Sequence, residues 1–132
     1  MISVLAICKR NNFVKGIQSY LLAHGIEIVS ICNNSSDGLE SYQQMNPDIV
    51  IMDANWSNYS YAPSGSELIR QLLELDPACK IIISTNTEEP DTVERLKEYN
   101  ISGYFYRNMN DALNSIVDCI KSVHKGEEYF LY

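Results

Sequence analysis

The chain has 132 residues, of which 45% are hydrophobic, 20% charged and 10% aromatic, a composition that fits one globular domain and excludes a disordered or collagen-like chain. Seventeen acidic against ten basic residues leave a formal charge of −7, which argues against a direct nucleic-acid-binding module, since that work needs a positive face. A protein or a small cation is the expected kind of partner.

Short β-rich runs alternate with longer stretches of helical period. Ile2–Cys8 is the first strand, and the helix after it carries the stripe Phe13, Ile17, Tyr20 and Leu21, with Gly25 as its left-handed C′ residue. Ile26–Cys32 is the second strand; Asn34–Asp37 then offers side-chain caps to a helix marked by Leu39 and Tyr42. Asp48–Asp53 is almost continuously apolar, as a strand covered on both faces is. Asn55–Ser66 has no period and reads as a loop, longer than usual for a strand-to-helix connection. A lid or recognition loop and a tolerated insertion explain it equally well.

The third helix carries Leu68, Ile69, Leu72 and Leu73, and the fourth strand is Lys80–Ser84. A fourth helix is marked by Val93 and Leu96, with Pro90 in its first turn, where a missing N–H does no harm. Gly103–Tyr106 is the fifth strand, and the fifth helix, with Leu113, Ile116, Val117 and Ile120, closes at Gly126. Residues 1–125 thus form one domain and 126–132 the start of a linker or tail. Strict alternation of β and α elements implies a parallel sheet with right-handed crossovers and helices on both faces.

No apolar run approaches the ~20 residues needed to cross a bilayer. Met1–Cys8 runs into Lys9 and Arg10 with no preceding basic segment and no small-residue cleavage site, so a cytoplasmic protein with no membrane partner is expected. Cys8, Cys32, Cys79 and Cys119 show no metal-site or disulfide-scaffold spacing and read as reduced, buried thiols. His24 and His124 sit beside helix ends, where a favourable dipole interaction explains them as well as any function.

Folds of this kind place their sites at the carboxyl ends of the strands. That rule directs attention to Cys8–Arg10, Asp53–Asn55, Ser84–Asn86 and Arg107. Asp53 alone reads most simply as a turn or capping residue. A carboxylate, a hydroxyl and a guanidinium at the ends of different parallel strands, however, suit one crevice that holds a tetrahedral, anionic group.

Three segments in this order and spacing, PDIVIMDANW, SGSELIRQLLELDPACKIIIS and SGYFYR, resemble the receiver domain of two-component response regulators over nearly the whole chain. The resemblance implies a flavodoxin-like (βα)5 fold, a doubly wound parallel sheet of strand order 2-1-3-4-5. It implies that Asp53 takes a phosphoryl group from a histidine kinase, with Mg²⁺ bound by Asp53 and by an acidic pair after the first strand. Ser84 stands at the family's Ser/Thr position and Arg107 at its Lys position, both on the phosphoryl oxygens. Tyr104 stands where the family has an aromatic residue that changes rotamer, and Asn55, Trp56 and Asn86 lie in loops at the site.

The departures from the pattern carry the functional expectation. The acidic pair is replaced by Cys8 and Lys9, neither of which is a hard oxygen ligand. Asp53 and the Asn55 carbonyl alone make a poor site for a cation that prefers a full shell of oxygens, so no cofactor is expected and Mg²⁺ binding should be weak. Lys9 either favours the ionised Asp53 carboxylate from close by or points into solvent. Arg107 binds phosphate through two parallel N–H groups but has a larger fork than an ammonium. The loop lacks the Pro common in the family soon after the phosphoacceptor and is longer before Gly65.

An atypical receiver is therefore expected, acting as a signalling and protein-interaction module with impaired Mg²⁺-dependent phosphorylation and not as an enzyme. Its expected partners are a histidine kinase or other signalling protein, and a second copy bound through the fourth helix, fifth strand and fifth helix. Tyr104, Phe105 and Tyr106 give that side aromatic content, although a sheet core uses such residues too. The alternative is a working phosphoacceptor adapted to Lys9 and Arg107. A flavodoxin-like enzyme or cofactor-binding domain has little support, since KRNN and no glycine-rich loop follows the first strand and no Ser–His or Cys–His arrangement is visible. Finally, IVDCIKSVHKGEEYF resembles the last helix and exit segment of LuxR/NarL-type receivers, in which a DNA-binding helix-turn-helix domain follows; the resemblance implies the regulatory half of a transcription regulator, either cut from a longer protein or standing alone.

Overall fold

A computed structural model describes residues 1–8, 12–53, 65–85, 98–106 and 111–131. Along the chain these form β1 (Ile2–Ile7), α1 (Asn12–Ala23), β2 (Ile26–Cys32), α2 (Ser35–Met45), β3 (Ile49–Asp53), α3 (Gly65–Leu75), β4 (Ile81–Thr85), β5 (Gly103–Tyr106), α4 (Ala112–His124) and β6 (Tyr129–Leu131). The strands make one sheet in the order β2-β1-β3-β4-β5-β6, and every pair is parallel. The flavodoxin-like order 2-1-3-4-5 is present, with one strand added.

β3 and β4 are buried at every residue because helices cover both faces of the sheet. Alternate strand residues divide between two cores. Leu5, Ile7, Val50, Met52, Ile81, Ile83 and Tyr104 face Tyr42 of α2 and Leu68, Ile69 and Leu72 of α3. Val4, Ile49, Ile51, Ile82 and Phe105 face Ile17 and Leu21 of α1 and Ile116 and Ile120 of α4. The expected punctuation is in place. Gly25 and Gly126 adopt φ of 80° and 95°, and Asn34 caps α2 by accepting from the Asp37 N–H at 2.8 Å. All four cysteines are buried and none is in a disulfide, and no helix among the described residues is long and apolar enough to cross a membrane.

Three expectations change. Residues 126–132 are not simply a tail: Tyr129–Leu131 pairs with β5, so β5 is not the edge of the sheet. The reason is the alternation of the strand, which gives Tyr129 to the α1/α4 core and Phe130 to the α2/α3 core. Leu113 is 43% exposed, and burial in α4 begins at Ile116. The opening turn of α4 instead meets α1 through a polar contact, the Tyr20 hydroxyl donating to Asn114 at 2.8 Å. The helix after the long loop starts at Gly65, two residues before the expected boundary. The rest of that loop, and Pro90, Val93 and Leu96 of the expected fourth helix, lie outside the described residues.

Candidate functional site

The carboxyl ends of β1, β3 and β4 carry Cys8, Asp53 and Ser84. The register places Asp53 opposite Ser84 and Ser84 opposite Phe105. Ile51 and Ile82, two residues upstream, belong to the α1/α4 core, so strand alternation sets Asp53 and Ser84 on that same side of the sheet. Both are buried, at 8% and 2% exposure, and Thr85 beside them is buried too.

The Ser84 hydroxyl has no hydrogen-bond partner among the described residues. A buried polar group left in that state costs about 1–3 kcal/mol, and native structures hold few of them. One buried, unpartnered hydroxyl thus stands at the end of β4, next to a carboxylate at the end of β3.

Cys8 is different. Its N–H donates to the Cys32 carbonyl at 2.8 Å, extending the β1–β2 ladder by one residue. Its side chain is 0% exposed and packs with Ala6 and Val14, flanked by Phe13, Ile28 and Ile31. The position that would carry an acid is thus an apolar seat against α1. From the same helix, the Phe13 ring stacks on Phe105 with centroids 6.4 Å apart. That pair was missed in the sequence, although Phe13 in the α1 stripe and the alternation of β5 both pointed toward the same core.

Tyr104 is 1% exposed and Phe105 fully buried, while Tyr106 is half-buried. Two of the three aromatic residues considered for an interface thus serve the core. Lys9, Asn55, Trp56, Asn86 and Arg107 lie outside the described residues.

Among the described residues, the strand ends offer Mg²⁺ few ligands. That cation takes hard oxygen ligands in near-octahedral geometry, and the described strand ends give it one carboxylate beside a thiol in an apolar cluster. No group of three His, Cys, Asp or Glu gathers anywhere among the described residues.

The model of the response regulator receiver domain family matches residues 4–118. The chain belongs to this family. The receiver is 28% identical over 130 residues to the response regulator GacA of Pseudomonas aeruginosa, covering 98% of this chain and 58% of the relative. It is 25% identical over 127 residues to the transcriptional regulatory protein LnrK of Bacillus subtilis, covering 96% of this chain and 55% of the relative. The receiver thus spans little more than half the length of these curated relatives. Among solved structures, a LuxR-family two-component response regulator from Aurantimonas sp. superposes with a TM-score of 0.84 at 20% identity, covering 96% of this chain and 87% of that one. The isolated REC domain of RcsB from Salmonella enterica, solved in the presence of phosphomimetic BeF3-, gives a TM-score of 0.84 at 17% identity, covering 98% and 93%. These likenesses establish the fold. Receiver domains are signalling modules and not typical enzymes.

Proposed function

We propose that this receiver works in the cytoplasm as an atypical, protein-interaction module in two-component-type regulation of transcription, with Mg²⁺-dependent phosphorylation impaired. The observation that carries the reading is the burial of Cys8 against Val14 where an acidic ligand would be needed. Phosphoryl transfer to a carboxylate gathers negative charge, and without a metal to offset it the transfer loses its main electrostatic support. The transcriptional role is supported by the likeness to LnrK, which is named a transcriptional regulatory protein. Any contact with DNA is assigned to a further domain, because a charge of −7 repels phosphate.

The partners proposed are a histidine kinase or other signalling protein and a second copy of the receiver. The self-contact is placed on the side formed by the segment after β4, β5 and α4. A second reading, a working phosphoacceptor at Asp53, is favoured by one observation: the unpartnered Ser84 hydroxyl stands directly across the ladder from the carboxylate.

Incubation with acetyl phosphate or beryllium fluoride, with and without Mg²⁺, separates the two by intact mass and NMR. The first reading expects no adduct and unchanged spectra at millimolar Mg²⁺. A Mg²⁺-dependent adduct that disappears in Asp53→Ala establishes the second.

A further inference from the structure

We propose that β6 is a detachable strap that closes the edge of β5 and holds Tyr104 in the core, so that its release is the step that exposes Tyr104. The register pairs Gly103 with Tyr129, Tyr104 with Phe130 and Phe105 with Leu131. Tyr104 and Phe130 are therefore lateral neighbours on one face, roughly 5 Å apart at the backbone, and Phe130 packs against the cluster that contains Tyr104. Tyr104 is fully enclosed with β6 in place.

The strap is weakly held compared with what it covers. It has three residues, and Tyr129 and Phe130 are only half-buried, whereas Gly103, Tyr104 and Phe105 beneath them are buried. Short edge segments with few buried contacts open locally at a small fraction of the cost of global unfolding. The hinge is also defined. The Glu127 N–H donates to the Ser122 carbonyl at 3.0 Å, tying the turn to α4, and the Tyr129 N–H donates to the Ser102 carbonyl at 3.1 Å, tying the strand to β5. Breaking the second contact while keeping the first swings β6 about Glu128, which is exposed.

Gly103 makes the close docking possible. A Cβ there would meet the Tyr129 carbonyl oxygen at 3.0 Å, Val123 Cγ2 at 3.2 Å and Cys119 Sγ at 3.3 Å. A methyl group at this position is a wedge under the strap.

This inference stands on the β5–β6 ladder and its packing, whatever Asp53 binds, and its test uses no phosphate analogue. Hydrogen exchange read by mass spectrometry is followed in the wild type, Gly103→Ala, Phe130→Ala and Phe130→Leu. In the wild type the amides of 129–131 should exchange well before those of β3 and β4. Gly103→Ala and Phe130→Ala should each speed exchange at 103–106 and 129–131 by about ten-fold or more, leaving β1 and β3 unchanged, as expected for local opening. Phe130→Leu should stay close to the wild type. The proposal is overturned if 129–131 exchange only with the global core, or if β5 keeps its protection when that of β6 is lost. Should either alanine variant fail to fold, the wild-type profile at graded urea decides between local and global opening.

Discussion

Asp53 and Ser84 are partners in the β3–β4 ladder, the final residue of one apolar strand set against the last residue but one of the next. The two groups differ in what the fold does for them. Ser84 is enclosed with its hydroxyl unpartnered among the described residues, so no described hydrogen bond of that hydroxyl stabilises the resting domain. Ser84→Ala should leave the urea unfolding midpoint unchanged or raise stability by up to about 1 kcal/mol, because it removes a desolvated hydroxyl and no described hydrogen bond. A clear loss of stability would mean that the hydroxyl is satisfied in the folded protein.

Gly38 sets the approach of α2 to the sheet. A Cβ at that position would lie 2.6 Å from Ile7 Cδ1 and 2.9 Å from Cγ1. Gly38→Ala should destabilise the domain by about 1–3 kcal/mol through overpacking. Combining it with Ile7→Val, which removes the closest methyl, should recover part of the loss, a non-additivity that denaturant titration of the double variant measures.

At the opposite, amino edge of the sheet, the Ser3 N–H donates to Asp48 at 2.9 Å, and His124 stands 4.0 Å from the same oxygen. The Ser3 N–H, with help from the Ser3 hydroxyl, His124 and Lys80, holds the Asp48 carboxyl below its ordinary value. A carboxyl lowered on folding adds stability above its unfolded pKa of about 3.9 and loses it as pH falls through the folded value. Asp48→Asn should therefore reduce stability at neutral pH and flatten the acid limb of a stability–pH curve. Parallel acid limbs in the variant and the wild type would contradict this.

Burial pushes the Cys119 thiol up to about 12 and the Cys79 thiol up to about 11. A thiol raised on folding supports the native state below its unfolded value of about 8.5, and that support is lost as pH rises toward the folded value. At pH 8 neither should react with iodoacetamide in the native protein, while all four cysteines should be labelled in concentrated urea. Stability should also decline above about pH 9.

Much of this was legible along the chain. DIVIMD and KIIIS each run apolar into a polar residue, and the strand-end rule turned those two endings into Asp53 and Ser84 without further information. The caps at Gly25, Asn34 and Gly126 were legible for the same reason, since each is a local conformational demand. What escaped was what depends on pairs distant in sequence. Three residues of aromatic and aliphatic character after Gly126 look the same as strand or as tail until β5 is beside them. The hydrogen bond from Tyr20 to Asn114, beside the exposed Leu113, and the stacking of Phe13 on Phe105 each join elements far apart in the chain. Replacement of the acid by Cys8 was plain in the sequence, but only the fold reveals the apolar seat that the thiol fills.

α4 ends at the amino edge of the sheet, near Asp48 and Lys80. Because β6 runs parallel to β5, it carries the polypeptide back toward the carboxyl rim of the sheet. Its last residue joins a single cross-strand row, Asp53, Ser84, Phe105 and Leu131. Three strand spacings make that row about 14 Å long. A fluorophore or fused domain attached after Leu131 would thus begin on the same rim as the Asp53 carboxylate, whereas one attached after His124 would begin on the far side. The choice of junction decides which rim of the sheet a reporter senses.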